Sequence, residues 1–515
     1  MRQITLTRRS VVGASAAAIA LSAFGPTAWA ARDNATAAIT GFNVINTLDP
    51  GKASLIQEYF VLWAVFNGLL KFDDKMEIVP DLAESYAVAD PTTYTFKLRP
   101  NVRFHDGSML SADDVKFTFD RLLDEKFASP YRSKLAVLDS VEVVDPLTIR
   151  IKTKEAYAPL LTLLCNFRNG TQIVPRHAVE TMGAEAFARR PIGTGAFKIV
   201  DWQPGQSVKL EAFGDYFLKG QPVLRAIEVL LIAEESSGET AVLAGQVDLT
   251  SSVPPADAEG LRKRPEVRVL SQPGLNNRYI ALNNRRAPFD DVHFRRALSM
   301  AFDRGALIKA AQFNEAVASQ GLIPPTLTFA YDPAPRPLTQ YNAEQAKKEL
   351  AQSKHPATTP AAVLTWGPGF WKQAVEIIVA QANDTLGTSL RVEVTEANTV
   401  FARLKSGEFD AAIWGWLGVV DPDDLYDILH SNGWRNFQGY ANTAMDQILE
   451  RGRSELDRGK RGEIYKKAEA MMVEDMPLVP CFCSNTGNLL RADVIGFTQK
   501  PFTNFGDQFA TLAFR

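Results

Sequence analysis

Two stretches of the chain follow one plan, and that plan restricts the fold more than any other feature. In IEVLLIAEESSGETAVLAGQVDLTSSV (227–253) a strand-like run leads into a short helix ending near Gly245 and then into a second strand. LRVEVTEANTVFARLKSGEFDAAIWGW (390–416) repeats the order, with its helix ending near Gly407. An Asp follows shortly after each glycine, Asp248 and Asp410. A strand–helix–strand unit favours parallel pairing through a right-handed crossover. Two such units about a domain apart predict two α/β lobes of related design. Chance is the competing explanation, because the unit is common.

Other segments fill in the lobes. TYTFKL alternates, with Tyr94, Phe96 and Leu98 on one face, as a half-buried strand does. SADDVKFTFDRLL opens on a capping box, Ser111 with Asp114, and carries an apolar stripe of Val115, Phe119 and Leu122. VEVVDPLTIRIK reads as a hairpin about Asp145-Pro146. DVHFRRALSMAFDRGALI and WKQAVEIIVAQANDTL have helical periodicity. SQPGLNN (271–277) breaks the pattern and is placed at the boundary between lobes. The tail FTQKPFTNFGDQFATLAFR is expected to complete the first lobe, so a second crossover falls near 481–486. Two extended crossovers make a hinge with a cleft between the lobes.

The composition excludes several classes. The chain has 515 residues, 46% hydrophobic and 22% charged, which suits a globular protein of about three domain-sized units. A net charge of −3 offers no broad basic field for nucleic acid. Three cysteines make no disulfide framework, and Cys481 and Cys483 read as small apolar strand residues. The five histidines are scattered, and no metal site or cofactor is expected.

Residues 1–30 form a separate object. Arg2, Arg8 and Arg9 precede a mildly apolar run over 11–24, Pro26, and a small-x-small pattern at Ala28-Trp29-Ala30. This predicts a secretory signal of twin-arginine type, a mature chain starting near Ala31 and a location outside the cytoplasm. An amphipathic helix of the mature protein is the alternative. No other segment is long enough to span a bilayer.

WGWLGVVDPDD (414–424) carries the site argument. Ligands of open α/β sheets sit off the carboxyl ends of strands, and FDAAIWGW delivers Trp414, Trp416, Leu417, Gly418 and Val419 to such an edge. The two rings either fill a core or present flat faces for stacking on a ligand. Asp421 and Asp423 either anchor a ligand cation or cap the helix that follows. Asn276 and Asn277, at the hinge, either bind a ligand or form a turn. Arg168 and Asn169 reach toward the cleft or sit on a solvated loop. Arg435, after Trp434, is placed to clamp an acidic group, and Tyr131 joins the set by position.

Four blocks carry a family resemblance: FHDGSMLSADDVKFTFDRLL, PIGTGAFKIVDWQPGQSVKLEAFGDYF, FRRALSMAFDRGALI and FDAAIWGWLGVVDPDD, in this order and at suitable distances. Together they resemble the dipeptide/oligopeptide/nickel-type extracellular solute-binding proteins of ABC importers, family 5. The resemblance covers essentially the whole mature chain. It implies an α/β, two-lobed periplasmic-binding-protein-like fold, type II, cluster C, with an extra subdomain inserted in the first lobe. It divides the chain into 31–70, 191–272 and 487–515 as lobe I, 71–190 as the insertion, and 273–486 as lobe II. It implies a monomer that closes on a small solute and hands it to a membrane permease without chemistry.

Departures from the family pattern narrow the solute. Dipeptide receptors of this kind hold the peptide amine with an Asp ahead of the Asp-Pro-Asp segment, and here residues 418–420 are Gly, Val and Val. They hold the carboxylate with an Arg in the loop before the helix WKQAVEII. Here that loop is WGPGFW, contributing Trp366, Phe370 and Trp371, with Lys372 the nearest cation. A buried ammonium facing valine would be unpaired at a cost of several kcal/mol. The expected ligand therefore has stackable or apolar surface: a sugar- or opine-like conjugate, an aromatic compound or a modified peptide. The rival class is a secreted hydrolase acting on glycosides or esters. The sequence has no G-x-S-x-G, H-E-x-x-H or P-loop, but its abundant carboxylates leave a glycosidase pair open.

Overall fold

The structure is a computed structural model that describes residues 32–416, 418–502 and 505–515, without the side chain of Trp416. The signal expected over residues 1–30 and the site residue Leu417 lie outside the described residues. Among the described residues no helix is long and apolar enough to cross a membrane, and no group of His, Cys, Asp or Glu gathers to hold a metal ion.

The two related units occupy matching places. Strand Asn34–Thr40 lies between Ala226–Ile232 and Leu249–Thr250, parallel to both. Strand Ala361–Thr365 lies between Leu390–Val394 and Ala411–Trp416, again parallel to both. The helices Glu235–Leu243 and Ala397–Ser406 make the crossovers. The two aspartates do the same work: Thr36 N donates to Asp248 at 2.7 Å and Ala362 N donates to Asp410 at 3.0 Å. Each carboxylate thus holds an amide of its lobe's central parallel strand. Gly245 (φ +72°) and Gly407 (φ +75°) end the crossover helices in a left-handed turn that suits glycine.

The crossovers between lobes differ from simple extended linkers. Val267–Leu282 and Leu478–Arg491 pair antiparallel with each other almost from end to end. At one end Leu490 also pairs with Leu249 of the first lobe. At the other, 277–282 pair with 411–416 of the second. Among the described residues a hydrogen-bonded path of ten strands therefore runs through both lobes, with Ala316–Ala318 added off the path, where the sequence predicted two lobes joined by extended crossovers. The ribbon's register shifts between Pro273 and Asn276, opposite Ser484–Asn485. A second shift falls between Arg278 and Tyr279, but the first carries a proline, which has no amide to donate, and lies between the two lobes' own sheet contacts.

A separate four-stranded antiparallel sheet lies within residues 83–153. Its strand Thr93–Leu98 buries Tyr94, Phe96 and Leu98, and its hairpin turns at Asp145-Pro146, where Leu147 N donates to the Asp145 carboxylate at 2.9 Å. Helix Ala112–Leu123 begins at the Ser111–Asp114 box. The expected helix over 291–308 is broken into Val292–Met300 and Arg304–Gln312, because Asp303 caps a new start by accepting from Gly305 N and Ala306 N. In the tail, Ala513–Phe514 pairs with Val494–Ile495, and Phe505 meets Phe60 with ring centroids 5.8 Å apart.

His105 ties two of the family-like blocks together. Gly193 N donates to its Nδ1 at 3.3 Å, and its Nε2 lies 3.0 Å from the Gly195 carbonyl, which accepts from it. Burial lowers its pKa to about 4, against 6.5 in the unfolded chain. The unfolded chain then binds the proton more tightly, so this contribution is complete above pH 6.5 and is lost as pH falls toward 4. His105→Gln should flatten the stability profile across that window, measured by denaturant unfolding; an unchanged profile contradicts the assignment.

Candidate functional site

Strand Ala411–Trp416 meets the hinge ribbon with Tyr279 opposite Trp414, Arg278 opposite Gly415 and Asn277 opposite Trp416. The chain then turns at Gly418 (φ +77°), where Gly418 N and Val419 N both donate to the Leu275 carbonyl at 3.1 Å. Gly418 N also lies 3.3 Å from Asn276 Oδ1, an acceptor that fixes the loop. Gly415 is glycine for a packing reason. A Cβ there would stand 2.7 Å from the Asn277 carbonyl and 2.8 Å from Arg278 Nη1. The Arg278 side chain occupies the space that a side chain at position 415 would need.

A cavity of about 400 Å³ opens beside this loop. Tyr131, Arg168, Asn169, Trp414, Gly418 and Arg435 all line it, so six residues singled out in the sequence come together. Phe167, Lys134, Asp424 and Trp434 also line it, with Ser54, Pro130, Gly415 and Val420. Phe167 and Lys134 come from residues 71–190, Asp424 and Trp434 from 273–486, and Ser54 from the stretch before both, so distant parts of the chain meet at the cavity. The first two of these stretches also touch directly. Ala158 N donates to the Arg453 carbonyl at 2.8 Å, and Thr162 Oγ1 donates to Asp421 at 3.1 Å.

The aromatic residues form a continuous surface. Trp414 stacks on Phe401 with centroids 5.6 Å apart and meets Trp366 edge-on at 5.6 Å. Trp366 lies 4.3 Å from Trp371, which lies 4.5 Å from Phe370. Trp414 thus combines the two readings of its ring: one face packs and the residue still borders the cavity. Of Trp416 only the backbone pairing is described.

The cations have a distinct distribution. Arg435 lies over the Trp434 ring at 4.4 Å, and burial lowers its pKa to about 10. Arg168 donates to the Ser54 carbonyl at 3.2 Å and adds its charge near Arg435. Asp424 is the carboxylate on this wall. Burial raises its pKa to about 7, with Lys134 opposing the shift.

Several expectations need correction. Asp421 does not face a ligand. It is 8% exposed and accepts two bonds from Arg461, one of them 2.9 Å long, with further bonds from Thr162 and from Asp423 N at 2.8 Å. Burial pushes its pKa up, but Arg461 outweighs burial and holds the carboxyl below its ordinary range. Asp423 does not cap the helix with its side chain; it accepts from Arg453 at 3.0 and 2.9 Å and from Tyr465 at 3.2 Å. The turn is therefore a doubly bidentate ion-pair joint. Asn277 is buried and donates to the Leu322 carbonyl, and Val419 is 2% exposed within the core. Asn169 is buried and donates to the Thr162 carbonyl at 3.1 Å. The Tyr131 hydroxyl is held by Ala53 O and Tyr59 at 2.6 Å each, so only its ring is offered to the cavity.

Sequence reasoning missed Phe167, Lys134 and Arg278. For Arg278 a signal existed: a lone cation in the apolar strand NNRYIAL.

Asp424 provides a pH test. Its folded pKa exceeds the unfolded value of 3.8, so the folded chain holds the extra proton and stability falls as pH rises from about 4 to about 7. Glu469, raised to about 7 by burial, acts in the same direction. Asp424→Asn should therefore reduce but not abolish the slope, and the variant should be the more stable of the two at pH 8. A slope equal to wild type contradicts this.

Comparison with known proteins follows from this geometry. A model of the bacterial extracellular solute-binding proteins, family 5 Middle, matches residues 77–437. The glutathione-binding protein GsiB of Escherichia coli (strain K12) is 26% identical over 514 residues, spanning 97% of this chain and 98% of that protein. The structure of HbpA2 from Haemophilus parasuis superposes with a TM-score of 0.84 at 25% identity, covering 94% of this chain and 100% of that one. MoaA from A. tumefaciens R10, solved with mannopinic acid, gives a TM-score of 0.75 at 26% identity, covering 94% and 100%.

Proposed function

The chain belongs to the family 5 bacterial extracellular solute-binding proteins, and from that premise we propose that it captures a small organic solute in the cavity beside the Trp414–Gly418 turn and passes it unaltered to an ABC permease. The observation that carries this reading is the convergence of Arg168, Arg435, Trp414 and Trp434 on one cavity bounded by two bodies. Clefts between bodies are where small ligands are bound and where closure reads out their presence.

The lobes follow the sequence division: 31–70, 191–272 and 487–515 as lobe I with the insertion at 71–190, and 273–486 as lobe II. Hinge bending takes place at Pro273–Asn276 and Ser484–Asn485, where the ribbon's register shifts. Residues 1–30 direct export by the twin-arginine route, and the receptor works as a monomer in the periplasm. The cavity favours a small organic solute with flat or apolar surface for Trp414 and Trp434, with the cations Arg168 and Arg435 on the same wall. Glutathione and mannopinic acid, the ligands named for two relatives, are acidic organic solutes of this general kind. A hydrolase reading has no support in this family.

Native mass spectrometry of the purified protein tests the reading, since such receptors retain solutes. The expected result is one small molecule per chain, released with unchanged mass. Steady appearance of a converted product would favour an enzyme. Trp434 is 56% exposed, so Trp434→Ala should leave the unfolding temperature unaltered. It should weaken binding of the carried solute by about tenfold, the loss of roughly 1–2 kcal/mol of stacking. Wild-type affinity in that variant would remove Trp434 from the site.

A further inference from the structure

A second cavity, about 760 Å³, is lined by Arg278, whose partner Gly415 on the neighbouring strand lines the first. One wall is Ser251, Ser252 and Pro254 with Gly487; the other is Asn276, Arg278, Phe313, Pro368–Phe370, Lys372, Gln373, Ser484 and Thr486. By the division proposed above, these walls belong to different lobes.

Arg278 is the unusual group. It is 7% exposed, and its guanidinium lies 4.7 Å from the Trp371 ring centroid and 5.7 Å from that of Phe370. Among the described residues its side chain makes one hydrogen bond, from Nη1 to the neighbouring Asn277 carbonyl at a long 3.3 Å, and its buried Nε has no partner. Among the described residues no carboxylate pairs with it. The two acids on the cavity wall are engaged elsewhere, Glu235 accepting from Ser252 at 2.7 Å and Glu376 pairing with Lys372 at 3.5 Å.

The contrast with two other buried arginines is informative. Arg295 donates to the carbonyls of Met476, Phe289 and Asp475 at 2.7–2.8 Å. Arg304 donates to Pro480, Ser299 and Thr339 carbonyls and to the Ser299 hydroxyl. Those two cations are consumed by the fold. Arg278 is held by ring faces, which fix its plane but accept no conventional hydrogen bond, so its N–H edge remains uncommitted.

A second feature faces the same cavity. Helix Phe370–Leu386 starts there, with Gly369 as its N-cap, no side-chain cap and no acidic residue in its first turn. Its unsatisfied amides and dipole favour an anion. Phe370, Phe313, Pro254 and Pro368 make much of the remaining wall apolar. A free inorganic anion would leave that wall unfilled, whereas a carboxylate joined to an apolar body would use both.

We propose that Arg278 is a specificity-determining residue that receives the carboxylate of the solute, with the amino end of helix Phe370–Leu386 assisting, and so requires the solute to be an organic acid. This rests on the receptor reading above and deepens it. Because both lobes wall the cavity, an anion bound there links the hinge strand to each.

The test compares 3-phenylpropionate with 3-phenylpropionamide, and with inorganic phosphate, at matched ionic strength on wild type, Arg278→Gln and Arg278→Lys. Titration calorimetry and the thermal unfolding midpoint are the readouts. Wild type should bind the acid at least tenfold more tightly than the amide, Arg278→Gln should lose the preference, and Arg278→Lys should keep part of it. Phosphate should raise the midpoint less than the acid. Without any probe, Arg278→Gln should unfold at the wild-type temperature or above, since it removes an uncompensated buried charge. The proposal is overturned if wild type does not discriminate acid from amide, binding of neither included, or if the preference survives in Arg278→Gln. Phosphate acting as strongly as the acid overturns the organic-acid requirement. Failure of Arg278→Gln to fold makes the residue structural. Retention of an unaltered, non-acidic solute by the native protein would sink this proposal and leave the receptor reading standing.

Discussion

Everything in this molecule hangs on the antiparallel pairing of Val267–Leu282 with Leu478–Arg491. The ribbon belongs to both lobes, so it couples them through main-chain hydrogen bonds. It is also interrupted, at Pro273–Asn276, by the one irregularity that lies between the two lobes' own sheet contacts. A joint that is stiff along each half and weak in the middle permits two rigid bodies to swing without losing their cores. The candidate site residues gather near that joint: Asn276 and Arg278 on the ribbon, Trp414 on the strand paired to it, Gly418 in the turn that follows, and Arg168 and Tyr131 across the cavity.

Charge is sorted by role around this joint. Asp421 and Asp423 are neutralised by Arg461 and Arg453 and close the turn after Gly418. Removing one member of such a pair strands a buried charge, so these residues hold shape rather than select a ligand. Arg168 and Arg278 are treated differently, the first donating to a main-chain carbonyl and the second set against aromatic rings. That arrangement keeps positive potential at the cleft. Val419 is tucked into the core and brings no charge to the turn.

Much of this was legible in the sequence because it depends on short-range pattern. Alternation located Tyr94, Phe96 and Leu98, the capping box located Ser111 with Asp114, and the paired glycine–aspartate spacing located the two crossover units. The break at Asp303 was readable too, as an Asp cap followed by Arg-Gly, but the apolar periodicity on either side masked it. What the sequence could not yield were partners far apart in the chain. Asp421 looks available until Arg461, forty residues on, is brought beside it, and Asn277 looks like a ligand donor until Leu322 is. Arg278 is the converse case. Its burial follows from Trp371 and from the absent side chain of Gly415, neither of which is near it in sequence. The unbroken sheet path had the same cause, since strand pairing across lobes is a tertiary fact.

The central claim is that two bodies close about this ribbon when a solute fills the cleft. Small-angle X-ray scattering on the same protein preparation, stripped of solute and then resaturated with what native mass spectrometry identifies, measures it directly. The account predicts a smaller radius of gyration when saturated, reversed on stripping. An identical radius in both states, with binding shown to be complete, would contradict it.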